Sequence, residues 1–392
     1  MIVIITEKIR TQPSDRRKAL WNISLVGLLV LGTSGCIGSG SNQPPDWMQP
    51  GVRVGSGLFE KKLFLNLSGV GSVTDIQRGE LRSLGKIEVG VAGSYGARFF
   101  DEHGKQVASV DFPVPESGGA GVASEIVRQS NSDGPLLLRH AFSYDSLVDS
   151  SGKEIWRTSY VANASTFGYV GQNGAPEFFF ARQNDSVEAL NVSGATLWQT
   201  RHVGWADSCE LVGSKDTDRS LLVDVGGKLL TLSLDGAIVS KAKPASDVEE
   251  VFSDFSVVHW PAVCQADCLL VSGNDRFFLL TSDGQRVVTA LAPAIFAMNA
   301  RGLAVRLYDN EPPLLAVAGS LPYQGQWVGF SAVHGELYVF DVHGKIVYYE
   351  VLPEPVKALG VSPADHGKTE TLLVGGENKV WKYSAPPAHT SH

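Results

Sequence analysis

The chain has 392 residues, 43% of them hydrophobic, with 42 glycines and 19 prolines: enough for a large core, and rich in turn formers. Its formal net charge is −8; without residues 1–35 the remainder holds 28 Lys and Arg against 39 Asp and Glu. No long basic run survives there, which argues against nucleic-acid binding through phosphate neutralisation.

Residues 1–18 are polar and end in Arg16-Arg17-Lys18, followed by the apolar run ALWNISLVGLLVLG, Ala19 to Gly32, and then Thr33-Ser34-Gly35-Cys36. A basic region, a short apolar stretch and small residues are the parts of a secretory signal. The run is short for a membrane span and is broken by Asn22. With Cys directly after Ser-Gly, this end resembles a bacterial lipoprotein signal peptide. The resemblance implies that Cys36 becomes the lipidated first residue. It also implies, from Ile37 rather than Asp after the Cys, sorting to the outer membrane. Thr33 departs from that family, which usually has an aliphatic residue three before the Cys. The alternatives are an ordinary cleaved signal or an uncleaved anchor with an incidental Cys. Acyl chains contribute ~0.8 kcal/mol per buried CH₂, and two together anchor stably.

Residues 37–55 (IGSGSNQPPDWMQPGVRVG) read as a flexible tether with Trp47 as its only large anchor. Glu60 to Leu67, EKKLFLNL, reads as a strand with no turn unit of its own.

From there a unit repeats: an apolar strand, a tight turn closed by glycine, a second apolar strand. The clearest copy is ELYVFDVHGKIVYY, Glu336 to Tyr349, and six copies centre on Gly104, Gly152, Gly194, Gly236, Gly284 and Gly344. Four residues before each glycine stands an apolar residue: Phe100, Val148, Leu190, Leu232, Leu280 or Phe340. Turn chemistry explains the motif: an Asp side chain binds backbone N–H groups ahead of it, and Gly takes the positive φ of a tight reversal. A further strand precedes several turns, at Leu136–Leu138, Phe178–Phe180, Leu221–Val223, Leu269–Val271 and Leu372–Val374. The glycines are 48, 42, 42, 48 and 60 residues apart, and Thr371 to Ser384 is a seventh copy that ends before its turn. Four strands per period of about 40–50 residues is the signature of β-propeller blades. A β-sandwich does not require the same turn at near-constant spacing. The expectation is therefore an all-β fold, a single β-propeller of seven four-stranded blades. Residues 60–67, or 52–59 just before them, complete the last blade and remove the free edge.

The units, with apolar-Asp-x-x-Gly-x-x-x-Trp endings at Trp156 and Trp198, resemble the quinoprotein-like repeats of the outer-membrane assembly propeller lipoprotein family. Short polar loops before the second strands, at Asn131–Gly134, Gln172–Gly174, Asp216–Asp218 and Asp365–Gly367, resemble FG-GAP-type calcium loops. No loop has three acidic residues in register, so turn stabilisation is the reading and no metal or cofactor is expected. The unit ending at Gly344 is longer than its neighbours. Its excess, including Leu314–Tyr323 and Gln326–Val333, reads as a long second-to-third-strand hairpin that either carries partner contacts or is a longer hairpin alone.

Cys264 and Cys268 flank a short turn and offer a local disulfide; Cys209 to either is the alternative. His259 nearby reads as a partly buried structural histidine. His103 and His343 occupy the same slot in two turns and belong to the repeat. There is no nucleophile elbow and no P-loop, so no catalytic residue is nominated.

The organisation expected is a signal peptide over 1–35, a tether from lipidated Cys36 over 36–55, a propeller over 56–385 and a tail over 386–392. The function expected is a lipid-anchored binding or assembly scaffold of the bacterial cell envelope, on the outer membrane facing the periplasm. Its partners would be envelope proteins or cell-wall or polysaccharide material. The alternative is an exported propeller enzyme, a quinoprotein-like dehydrogenase or a glycan hydrolase or lyase. That enzyme requires a polar, charged or metal-binding cluster at one mouth of the central channel.

Overall fold

A computed structural model describes residues 53–386 apart from 56, 83–84, 113–122, 129–133, 142–143, 161, 183–184, 214–218, 245–254, 265–266, 273–275, 292–297, 322–333 and 364–368. The signal region, Cys36, Trp47, most of the tether, three of the four polar loops and the tip of the long hairpin lie outside the described residues.

The described chain forms seven antiparallel sheets, each built on a four-stranded blade, with one further strand added to blade 6. Blade 1 is Val73–Gly79, Glu88–Gly93, Gly96–Asp101 and Gln106–Asp111. Blade 2 is Ala123–Val127, Leu136–His140, Asp145–Val148 and Glu154–Arg157. Blade 3 is Ala162–Gly168, Glu177–Arg182, Ser186–Asn191 and Thr196–Arg201. Blade 4 is Ala206–Val212, Ser220–Val225, Leu229–Leu232 and Ile238–Ala242. Blade 5 is Ser256–His259, Asp267–Ser272, Arg276–Leu280 and Arg286–Leu291. Blade 6 is Met298–Val305, Leu314–Leu321, His334–Phe340 and Ile346–Leu352. Blade 7 is Ala358–Pro363, Glu370–Gly375 and Lys379–Ser384, with Glu60–Asn66 as its outermost strand. First strands of neighbouring blades touch one another in six of the seven pairs, so they line the axis of a seven-bladed β-propeller.

The burial pattern follows from this geometry. Second strands such as Leu136–His140 and Ser220–Val225 are sandwiched between neighbouring sheets and are buried on both faces, which is why they read as unbroken apolar runs. Between blades 5 and 6, Trp260, Phe277, Tyr338 and Phe340 share one cluster. Fully burying one such ring contributes about 2–3 kcal/mol.

The repeated turn works as its chemistry requires. In four copies Asp101, Asp149, Asn191 or Asp341 accepts two backbone N–H groups at 2.8–3.0 Å. In the other two, the Ser233 and Thr281 hydroxyls accept one. All six turn glycines have positive φ. At Gly194 and Gly236 a second constraint acts: a Cβ there would lie 2.7 and 2.6 Å from the rings of Trp156 and Trp198, which dock from the preceding blade. Each indole also donates to that turn, to the Val192 and Leu234 carbonyls.

The ring closes with an N-terminal strand, Glu60–Asn66 pairing antiparallel with Lys379–Ser384. Lys61 on this strand pairs with Glu350 of blade 6 at 2.7 Å, and the Tyr348 and Tyr383 hydroxyls donate to the same carboxylate at 2.7 and 2.8 Å. Burial pushes Glu350 up, but these partners outweigh it and hold it below the usual glutamate range. Phe59 packs edge-on against both tyrosines. Just upstream, Arg53–Val54 pairs with Glu350 and Tyr349, so blade 6 carries a fifth strand. The long hairpin of blade 6 joins second and third strands whose ends pair at Leu321 and His334.

Cys264 and Cys268 are joined by a disulfide beside the one-turn helix Pro261–Cys264, and Cys209 is a buried free thiol. His259 differs from the partly buried residue expected. Its side chain is 61% exposed and pairs with Asp267 at 2.9 Å, because it ends a strand at the blade's margin.

Candidate functional site

Two regions of the propeller present chemistry: the channel on its axis and the edges at its rim. Innermost strands have no strand beyond them on the axis side, so their polar side chains reach a shared cavity of about 240 Å³. Blades 1 to 4 contribute Asp75, Glu125, Thr166 and Glu210, and blades 6 and 7 contribute Arg301 and Lys357. One acidic arc thus faces a shorter basic one.

The acids differ in how they are matched. Glu210 accepts from Thr166 at 3.2 Å and lies 3.7 Å from Arg301. Glu125 faces His140 Nε2 at 3.8 Å, while His140 Nδ1 meets Asp145 at 2.8 Å. Burial works against the His140 charge, but Asp145 and Glu125 outweigh it and push it up to about 10. Burial likewise raises Glu125, and His140 with Arg301 overrides it, holding the carboxyl below its ordinary value. Asp75 is the exception. It accepts the Ile126 N–H at 2.8 Å and Gln77 at 3.0 Å, yet burial, reinforced by Glu125, pushes it up to about 7.

Ser165 Oγ lies 3.2 Å from His140, which places a serine, a histidine and an aspartate together. It is not a nucleophilic triad. Serine and Asp145 both face Nδ1, whereas a triad needs them on opposite ring nitrogens. An imidazole charged to about pH 10 also has no lone pair to act as a base at neutral pH. Among the described residues no group of three or more His, Cys, Asp or Glu is placed to hold a metal ion.

At the rim, outermost strands of six blades share a β-bulge three residues after the turn glycine. The extra residue is Val107, Ile155, Leu197, Val239 or Val287 in blades 1 to 5, and each is exposed. In blade 6 it is Val347, which is half-buried because the segment through Gly55 lies over it. Blade 4 is the most open: Ile238 is 56% and Val239 64% exposed, and Ser240 and Lys241 beside them are exposed too.

The sequence nominated Cys36, Cys264 and Cys268. The last two lie at the start of blade 5's second strand, away from the residues that line the cavity. Sequence reasoning missed Asp75, Glu125, His140, Glu210, Arg301 and Lys357. A weak signal existed, a polar or charged residue within each first strand, but strand order had to be known to use it.

No protein-family model matches the chain, and no curated protein matches it. Solved structures do. BBS1N, from a crystal structure in complex with ARL6DN, aligns at TM-score 0.55 and 15% identity over 84% of this chain and 97% of its own. Virginiamycin B lyase from Staphylococcus aureus aligns at TM-score 0.53 and 14% identity over 83% and 99%. BamB from Moraxella catarrhalis aligns at TM-score 0.46 and 12% identity over 79% and 84%. At these identities the likeness is one of fold.

Proposed function

We propose that this chain is a lipid-anchored, exported β-propeller that binds protein partners at its rim, an assembly scaffold of the bacterial cell envelope. The observation that carries the reading is the contrast between equivalent edges. Blade 6 already accepts a fifth strand, Arg53–Val54, beyond its bulge, while blade 4 presents the same edge open with Ile238 and Val239 exposed. An extended partner segment would add there through main-chain hydrogen bonds, with the aliphatics supplying apolar contact. Anchoring rests on the Ser34-Gly35-Cys36 sequence, and outer-membrane sorting on Ile37. BBS1N, of similar fold, was crystallised with a protein partner, ARL6DN, which accords with a propeller used for protein binding.

The test is a cross-linked membrane pull-down of the full-length protein beside a Cys36→Ala version. A defined set of envelope proteins, lost with Cys36, supports the reading; an empty pull-down with the protein still membrane-bound overturns it. The rival, an enzyme working at the channel, has one observation in its favour, the charged cluster on the axis. Against its hydrolytic form stands the protonated His140.

A further inference from the structure

We propose that the central channel is a binding site for a small zwitterion, its ammonium end held at Asp75 and its anionic end at Lys357. The site is independent of rim binding.

The argument starts from unmatched charge. A half-buried ion without a counterion is costly, and several buried acids of this chain are matched by a cation. Glu88 is gripped by Arg82 at 3.1 and 2.7 Å, Glu350 by Lys61, and Glu125 by His140. Asp75 and Lys357 line one cavity from the adjoining blades 1 and 7, yet no ion pair joins them. Asp75 has only neutral partners among the described residues, Gln77 and the backbone N–H groups of Ile126 and Ile76; Gln77 and Ile126 both engage Oδ2. Lys357 makes no ion pair with any described residue. Two opposite charges that face one space without meeting are complementary to a ligand with a charge at each end.

The rest of the cavity limits that ligand. A volume of about 240 Å³ equals roughly eight waters at about 30 Å³ each, too little for a polymer segment or a folded partner. Arg301 and Glu125 line the same cavity but are already matched, Arg301 by Glu210 at 3.7 Å and Glu125 by His140, which leaves Asp75 and Lys357 for the ligand. Val257, Leu303 and Leu359 supply an aliphatic wall for a short carbon skeleton. Free amino acids and the smallest dipeptides have this size and charge pattern.

The experiment is titration calorimetry on the full-length protein at millimolar probe, using glycine, L-alanine, L-glutamine and glycylglycine, with propionate and propylamine as single-ended controls. At least one zwitterion is expected to bind saturably, with each control binding at least tenfold more weakly. Lys357→Met and Asp75→Asn are each expected to weaken the zwitterion by tenfold or more while keeping the wild-type circular dichroism spectrum. Glu125→Gln serves as a further variant if either fails to fold. The proposal is overturned if no zwitterion binds, if propionate or propylamine binds as tightly, or if the folded variants retain wild-type affinity.

Discussion

The seam between blades 6 and 7 and the edge of blade 4 are built from the same repeat and are finished differently. At the seam the N-terminal segment is used twice: Arg53–Val54 caps blade 6 and Glu60–Asn66 completes blade 7. Lys61 neutralises Glu350 where two tyrosine hydroxyls also meet it. Among the described residues blade 4 has no such cover, and its bulged strand shows two aliphatics to solvent. Free strand edges are a liability that proteins blunt with charge, bulges or cover. Here the seam receives cover, whereas blade 4 relies on its bulge and Lys241. The difference separates a sector that holds the ring shut from one whose aliphatics face solvent, the edge that the proposed function gives to a partner.

The largest effect is expected at the seam. Lys61→Ala removes the cation that meets buried Glu350 at 2.7 Å and should cost about 3 kcal/mol in urea unfolding at neutral pH. Glu350 is held below its usual pKa, so its contribution is present above about 4.5 and is lost as pH falls through the folded value; the cost of Lys61→Ala should shrink on acidification. A loss unchanged at low pH would show that packing against Trp381 and Tyr383, not charge, holds the seam.

Next comes the contact between repeats away from the seam. Gly194→Ala would drive a Cβ into Trp156 at positive φ and should cost about 2–3 kcal/mol. The same change at Gly104, where the nearest atom is 3.7 Å away, should cost no more than the φ strain of about 1 kcal/mol. Equal losses would mean that the docked indole yields freely.

The channel sharpens the comparison with an effect of opposite sign. The folded pKa of Asp75 is raised from 3.8 to about 7, so the folded state binds more protons between those values and stability falls as pH rises through that window. Asp75→Asn should therefore stabilise the protein at pH 8, by on the order of 1 kcal/mol, and have little effect near pH 4. Such an unmatched carboxylate is a cost at the channel that the seam does not carry. The smallest signal is spectroscopic: His140, pushed up to about 10, should show no imidazole titration by NMR between pH 5 and 8.

Legibility in the sequence followed repetition. Turn glycines and the apolar residues four before them recur in six units, and buried second strands recur with them, because every blade solves the same packing problem. That repetition makes the solution visible, and the closing strand was legible as the piece left over at each end. The channel was not legible for the converse reason. Asp75, Glu125, Glu210, Arg301 and Lys357 come from different blades, at least 50 residues apart and unevenly spaced, and differ in kind, so no spacing rule joins them. His140 lies on a second strand and reaches the axis only through Glu125. The tryptophans were visible at Trp156 and Trp198, but their docking onto the next blade's glycine appears only once blades are placed side by side.

The central claim, that blade 4 presents an open partner edge while blade 6 is capped, is tested most directly by site-specific photo-crosslinking in membranes. A photoreactive residue is placed at Val239 in one protein and at Val347 in another. The account predicts that Val239 captures envelope proteins found in the wild-type pull-down, and that Val347 captures residues 53–55 of its own chain. Capture of the same partners at both positions, or of none at Val239, would contradict it.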